Sequence, residues 1–444
     1  MIEIVLTEIH VASLKDGLLA TDDERCATLI ARVHRRNDGV TRLLVHHIDW
    51  PAETEYGYSS PFEAQLTGCY VANIAKRAKA DDEALIFVHT HPGIEAPRFS
   101  LIDDAGEQHL KDFLDNRGSK LPHCALVISR GGMEARLLGT DQFVDVVSIG
   151  QQRRVLFSQT NAPGEIAQRY DRHVRAFGQA GQRQLQSLHV GIVGLGGTGS
   201  ILAQQLVHLG VRRFTLIDPD VVDETNLNRV VGTSANDVGD LKIEVAKRQL
   251  LHHNPDVELT TIAGNVVHQS VAQSLLEADF LFSCTDSHGS RSVIQQIAYQ
   301  YLLPCIDMGS IIAMGEDNNH SILGRAQLLS PGEPCLWCSK LLDSEQIRRD
   351  LLTDVERKLD PYIPGANEVA PSVIWLNGIV VSLAVGMFMG VVAGADMPGR
   401  HWHYHAHRTA LRRIESARNP NCFICSAAGV LAKGPKQQLF ARTD

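Results

Sequence analysis

The sequence predicts an α/β chain of two or three domains, and three stretches carry the prediction. Leu188–Ser200, LHVGIVGLGGTGS, reads as strand, glycine turn and helix start. Ala84–Val88 reads as a strand that runs directly into a His-x-His-Pro segment. Two Cys-x-x-Cys pairs, Cys335/Cys338 and Cys422/Cys425, mark a further chemical centre.

In the first stretch the apolar run Val190–Val193 is followed by Gly194, Gly196, Gly197 and Gly199, then by apolar positions at helical spacing over Ile201–Leu209. Such glycines let the backbone turn tightly and approach a phosphate, and the amides opening the helix face the anion. The next apolar run, Arg213–Ile217, ends in Asp218, where a ribose-binding carboxylate belongs in such units. The segments DPDVVDETNLNRVVG, GDLKIEVAKRQL and FLFSCTDSHGSR then place Asn226, Arg229, Lys242 and Asp286 at the ends of successive strands and helices. Cations that neutralise phosphate and a carboxylate that holds a metal suit a nucleotide triphosphate with Mg²⁺. A dinucleotide-dependent oxidoreductase, the rival reading, needs little polar chemistry beyond the glycine loop and its ribose acid.

Composition narrows the classes. The formal charge of −9 gives no support for a nucleic-acid partner. The N-terminus, MIEIVLTEIHVASLKDG, lacks a basic region followed by an apolar core, so the expectation is a cytoplasmic protein. In that compartment paired cysteines point to metal rather than disulfides. Of the nine cysteines, the other five (Cys26, Cys69, Cys124, Cys284, Cys305) lie in or beside apolar runs and are expected to be buried. Val373–Ala395 carries no charge, but Gly378, Ser382, Gly386, Gly390 and Gly394 recur every fourth residue and Asn377 is polar. A buried interface helix fits this better than a membrane span.

Residues 1–150 read as mixed α and β, with strands at Ala27–Val33, Thr41–His47 and Ala84–Val88 and a helix at Phe62–Ala78. His89 and His91 alternate at a strand end, so both imidazoles point to one side. Asp103 falls in the first turn of a helix capped by Ser100. Two histidines and a carboxylate leave an open position on zinc, where bound water becomes acidic enough to attack a carbonyl.

With Pro92 and the Ser100-x-x-Asp103 spacing, this domain resembles the JAB/JAMM (MPN) zinc metalloprotease family. The resemblance implies His89, His91 and Asp103 as zinc ligands and Ser100 as a group that holds the oxyanion or the water. It implies an upstream glutamate as general base, here Glu24, with Glu53, Glu55 and Glu63 as substitutes. It also implies cleavage of peptide or isopeptide bonds after the terminal glycine of ubiquitin-like proteins.

From Gln168 to Cys425 the chain is similar to the ThiF/MoeB family, the adenylating domain of ubiquitin-activating enzymes. That resemblance implies a Rossmann-like domain with a four-cysteine zinc site made by Cys335, Cys338, Cys422 and Cys425. Arg172, of the R-Y-x-R segment, would reach across a homodimer to the ATP phosphates. Asp218 would bind ribose, Asn226, Arg229 and Lys242 the phosphates, and Asp286 the Mg²⁺. Family members that form a thioester or persulfide carry a cysteine in the crossover segment, and Ser339–Ser372 has none. Adenylation without a thioester is therefore expected, with Cys284 and Cys305 as structural residues. His401, His403, His405 and His407 share one face of a strand, expected to be an exposed edge.

The expected organisation is a peptidase domain at 1–150, a linker at 151–165, an adenylyltransferase domain at 166–426 and a basic flexible tail at 427–444. The expected substrate is a ubiquitin-like or sulfur-carrier protein ending in glycine, handed on to a conjugating enzyme, with no membrane partner. A scaffold with one inactive domain is the alternative. Intact candidate ligands argue against it.

Overall fold

The computed structural model describes residues 1–159, 166–314, 320–353, 356, 371–395 and 399–443, which fall into two units. The first comprises Met1–Gly164, Gln300–Leu302 and Val430–Gln438, and the second takes the remainder.

The first unit holds an eight-stranded sheet. Its order is Arg153–Phe157, Asp145–Ile149, Ile2–Thr7, Thr41–Asp49, Cys26–Arg35, Ala84–Thr90, Cys124–Ser129 and Gly132–Leu137. Alternation gives it two apolar faces. Leu29 packs with Ile4, Leu43, Ile86 and Leu126 on one face, which the helix Glu8–Leu18 covers through Leu14 and Leu18. Ile30 packs with Leu85, Phe87 and Ala125 on the other, under Tyr70, Val71 and Ile74 of the helix Gly68–Ala80 and Leu114 of the helix Leu101–Arg117.

Three expectations change in this unit. The helix expected at Phe62–Ala78 begins only at Gly68, because Thr67 caps it by accepting the Tyr70 amide at 3.4 Å. Ahead of the cap, Glu63–Leu66 pairs with Tyr56–Ser60 as a hairpin. The expected linker opens as a strand, Arg153–Phe157, antiparallel to Asp145–Ile149, and residues 160–165 lie outside the described residues. The expected flexible tail is packed. The Gln300 amide donates to the carbonyls of Gly434 at 2.7 Å and Gln437 at 2.6 Å, and the Arg32 guanidinium donates to Ala432 at 2.9 Å. Beyond it, the Phe440 amide donates to the Gln296 side chain at 2.6 Å within the second unit.

The second unit holds another eight-stranded sheet, ordered Glu258–Ile262, Arg213–Ile217, His189–Val193, Phe280–Ser283, Cys305–Met314, His320–Leu329, His401–His405 and Ala410–Arg413. The first five strands run parallel and the last three join antiparallel. The histidine strand is therefore not an edge: it lies between two neighbours, and His401 is buried. The uncharged stretch forms the helix Ile374–Val392, whose Val380, Ala384 and Phe388 pack on Phe280, Phe282, Ile306 and Met308. Phe388 meets Phe280 edge-on at 4.8 Å between ring centroids. This helix is long and apolar enough to cross a membrane, yet it serves as the core of this unit. Ser382 is exposed, and Gly378 and Gly386 are half-buried.

Candidate active and metal sites

In the first unit the strand Ala84–Thr90 delivers His89 at its end and His91 just beyond it. Their Nε2 atoms lie 3.3 Å apart. The helix Leu101–Arg117 brings in Asp103, with Oδ1 at 3.1 Å from His89 Nε2 and Oδ2 at 3.4 Å from His91 Nε2. Ser100 caps that helix: its hydroxyl accepts the Asp103 amide at 3.3 Å, and its own amide donates to Asp103 Oδ2 at 2.6 Å. Its observed work is to fix the carboxylate. Ligand atoms of His89, His91 and Asp103 all lie within 4.8 Å of one another, so the donor set fits a three-ligand zinc with an open position.

Glu24 precedes the strand Cys26–Arg35 and is 6% exposed, with Oε1 at 3.7 Å from His91 Nε2. Burial raises its pKa, and the two histidines pull it partly back. Asp103 moves the other way: burial opposes its charge, but hydrogen bonds from His89 and His91 outweigh that and hold it well below the usual carboxylate range. Two of the substitutes for Glu24 are engaged outside the cleft. Glu53 is paired with Arg25, with Oε2 at 3.2 Å from Nη1, and Glu55 accepts the Ala52 amide at 2.8 Å. Glu63 lines the same cleft as Glu24.

That cleft encloses about 610 Å³. Beside Glu24, His89 and Asp103, it is lined by Phe62, Leu66, Val71, Phe87, Leu101 and Ile102, of which Phe62 and Leu101 are largely exposed. Sequence reasoning missed Glu107, buried in the cleft wall and bound by Arg136 Nε at 3.1 Å to both carboxylate oxygens. Its position four residues after Asp103, on the same helix face, was the available signal.

In the second unit the glycine turn follows the strand His189–Val193. Gly194 has φ +91°. A Cβ on Gly199 would fall 1.8 Å from the Gly194 carbonyl oxygen, and one on Gly197 would fall 2.2 Å from Asn377 Nδ2. Close approach of the Gly194 carbonyl thus requires glycine at 199, whereas at 197 a Cβ would meet the Asn377 side chain. Gly196 caps the helix Gly197–Leu209, whose first amides are free to face an anion. Asp218, just beyond the next strand, is buried. Oδ2 accepts the Leu195 amide at 2.5 Å and Oδ1 the Asp220 amide at 2.8 Å. Burial raises its pKa, against those amides.

Arg229 lies over the turn, its Cγ 3.5 Å from a Cβ built on Gly197. Asn226 is buried and caps its own short turn, its Oδ1 accepting the Asp223 amide at 3.4 Å. Lys242 opens the next helix and pairs with Asp220 at 2.7 Å, a partner the sequence reading did not name. Asp286 follows the strand Phe280–Ser283, is exposed, and has no ion pair among the described residues. Arg172 sits exposed at the start of the helix Asp171–Ser187.

The two Cys-x-x-Cys pairs converge. Cys335 and Cys422 sulfurs are 3.5 Å apart, Cys338 and Cys425 sulfurs 3.6 Å, and all four lie within 4.8 Å of one another. These separations are far beyond a disulfide bond and match the sulfur edges of a tetrahedral zinc site with Zn–S of about 2.3 Å. The amides of Asn419 and Ile424 donate to Cys338 and Cys422 sulfurs at 3.4 Å. Of the remaining cysteines, Cys26, Cys124 and Cys305 are buried and Cys284 is half-buried. Cys69 is exposed, against expectation, because it lies in the first turn of its helix rather than within the apolar face. Burial raises the thiol pKa of both Cys284 and Cys305, which suits structural residues.

Comparison with known proteins addresses the second unit. Residues 170–424 match the ThiF family model. The chain is 30% identical over 261 residues to the molybdopterin-synthase adenylyltransferase of Escherichia coli (strain K12), covering 58% of this chain and 95% of that protein. It is 26% identical over 264 residues to the SAMP-activating enzyme E1 of Haloferax volcanii, covering 59% and 90%. It is 26% identical over 248 residues to the sulfur carrier protein adenylyltransferase of Thermus thermophilus, covering 56% and 86%. The family match begins at residue 170, so the His89–His91–Asp103 cluster lies outside it. With more than half of its residues matched and the glycine turn, strand-end acids and cysteine cluster in place, the chain belongs to the ThiF family.

Proposed function

We propose that this chain activates the C-terminal glycine of a ubiquitin-like or sulfur-carrier protein as an acyl-adenylate, and that its first unit is a JAB/JAMM-like zinc peptidase acting on the same carrier. The observation that carries the combined reading is the His89–His91–Asp103 cluster, with Glu24 3.7 Å from His91, in the same chain as a ThiF domain. The named activities of the relatives, on molybdopterin synthase, SAMP and a sulfur carrier, support the substrate class. Family membership disfavours an oxidoreductase.

ATP is the co-substrate. The amides at the start of the helix Gly197–Leu209 face its phosphates, and Asp218 holds the loop and receives the ribose. A carboxylate attacking the α-phosphate brings two negative groups together. Arg229 and Lys242 offset that charge, Asn226 orients the phosphates, and Asp286 holds Mg²⁺. Arg172 serves the site of a partner subunit in a homodimer, for which the partly exposed Gly378, Ser382 and Gly386 offer a close packing surface. The product is released as the adenylate, since neither Cys284 nor Cys305 is placed as a nucleophile, and a conjugating enzyme or sulfur donor takes it onward.

In the first unit, His89, His91 and Asp103 would hold a zinc ion, which would supply Lewis acidity toward a water and the scissile carbonyl. Glu24 accepts the proton of that water and passes it to the leaving amine. Ser100 positions Asp103. The four cysteines would hold a structural zinc, their thiols kept reduced in a cytoplasmic compartment. With both activities in one chain, the trimmed carrier is released at high local concentration.

The experiment is a pair of uncoupling mutants assayed for both reactions. His89→Ala is expected to retain carrier-dependent ATP–pyrophosphate exchange and lose cleavage, and Asp286→Ala to do the reverse. Loss of both activities in either mutant counts against two independent centres.

A further inference from the structure

On the face of the second sheet opposite the helix Ile374–Val392, charge replaces apolar core. Met308 and Ala326 pack under that helix, so alternation turns Asp307 and Arg325 to the other side. Asp307 is fully buried. Its Oδ1 accepts a hydrogen bond from Arg325 Nη2, its Oδ2 accepts the Ser283 hydroxyl at 2.7 Å, and Arg291 Nε lies 3.4 Å from Oδ2. Two guanidiniums share one carboxylate, which leaves one net positive charge where the arginine side chains are only 12% and 13% exposed. Arg325 Nη1 is sealed from solvent and has no hydrogen-bond partner among the described residues. Gly309 makes the room: a Cβ there would fall 2.8 Å from Arg291 Nη2 and 3.8 Å from Arg325 Nη2. His403 stands opposite Arg325 in the strand register and His401 two positions along. Burial lowers both imidazoles, His401 to about 4, so neither adds charge at neutral pH, and Asp307 is the one carboxylate bound by this arginine pair among the described residues.

The register fixes where this cluster lies. Val193, Ser283 and Asp307 are consecutive neighbours across the carboxyl ends of the parallel strands. Gly194 opens the glycine turn at one end of that row, and Asp286 follows Ser283. Strands stand about 4.8 Å apart, so Asp307 is roughly 10 Å along the row from the turn. Arg325 pairs with Gly309, one pleat further out, past the end of the strand Phe280–Ser283. Ligands of open α/β sheets lie in this crevice.

We propose that Arg325, with Arg291 beside it, docks the C-terminal carboxylate of the polypeptide substrate next to the nucleotide loop. One carboxylate brings the Arg–Asp–Arg cluster to neutrality, and the fork of a guanidinium matches its two oxygens. The inference rests on the adenylation reading and adds to it the group that selects a free chain end.

The test uses the full chain, a non-hydrolysable ATP analogue, and a synthetic peptide ending in Gly-Gly, offered as the free acid and as its C-terminal amide. Wild type is expected to bind the acid at least about tenfold more tightly than the amide, the worth of one charge-assisted bond. Arg325→Gln is expected to lose that preference, and Arg325→Lys to recover part of it, with ATP-analogue affinity unchanged in both. Equal binding of acid and amide by wild type, no binding of either at millimolar concentration, or a preference kept in Arg325→Gln overturns the inference. So does a parallel loss of ATP-analogue binding in Arg325→Gln, which marks a structural role. Wild type that binds no ATP analogue instead strikes the adenylation reading itself.

Discussion

The carboxylate of Asp218 accepts the backbone amide of Leu195 at 2.5 Å, so the end of one strand fixes the glycine turn that follows its neighbour. A residue expected to meet ribose is thus also the brace of the phosphate loop. Asp218→Ala removes the acceptor of two backbone amides and should destabilise the second unit by about 3 kcal/mol, together with a loss of ATP affinity. Asp218→Asn, which keeps one oxygen, should recover part of the stability. Thermal unfolding and nucleotide titration check this, and an Asp218→Ala protein with unchanged melting and ATP binding contradicts it.

The sequence reading reached the parts of the fold whose chemistry is local. The glycine turn, the Ser100 cap and the His-x-His strand end each follow from neighbours within a few residues, and each stands where expected. The cysteine pairs were also legible, because four thiolates at such spacing have little other use. Long-range pairing was not legible. Arg325 and Asp307 face one another only through strand register, and no local pattern announces a buried arginine. The packed tail was missed for a similar reason: Val430–Gln438 looks like a polar terminus until Gln300 supplies its backbone partners. Residue Thr67 shows the limit of periodicity, since Leu66 falls inside the expected helix Phe62–Ala78 but lies on the strand side of the cap.

Two zinc ions per chain are expected. Metal analysis of His89→Ala should show the loss of one, with the melting of the second unit unchanged. Cys335→Ser should lose the other and prevent cooperative folding of the second unit, because structural zinc contributes on the order of 10 kcal/mol to small metal-held folds. Unchanged metal content in both mutants defeats the assignment.

Among the described residues, Glu24 is the carboxylate nearest to the histidine pair that is not itself a ligand in the proposed set. Glu24→Gln should retain zinc and lower cleavage by about 10² to 10⁴, the range of general acid–base catalysis. Glu53→Gln should leave cleavage unaltered, since that side chain is exposed and committed to Arg25. Full activity of Glu24→Gln, with activity lost in Glu63→Gln, transfers the role to Glu63.

Arg172 and Asp286 belong to different halves of a shared site in the proposed homodimer. Arg172→Ala and Asp286→Ala should each lower pyrophosphate exchange about a hundredfold or more as homodimers. Mixing the two should restore part of the activity, because one hybrid site then holds both native residues. Verified mixed dimers without recovery, or a fully active monomer, exclude trans complementation.

The most direct measurement follows the intact mass of a ubiquitin-like or sulfur-carrier protein extended beyond its terminal glycine, incubated with the full chain, ATP, Mg²⁺ and Zn²⁺. The account predicts that the extension is lost and that AMP then appears on the newly exposed glycine. It also predicts that His89→Ala leaves the extended carrier intact and unadenylated, while accepting a carrier supplied already trimmed. Adenylation of the untrimmed carrier, or an unchanged mass with wild type when the trimmed carrier is adenylated, contradicts the coupling of the two activities.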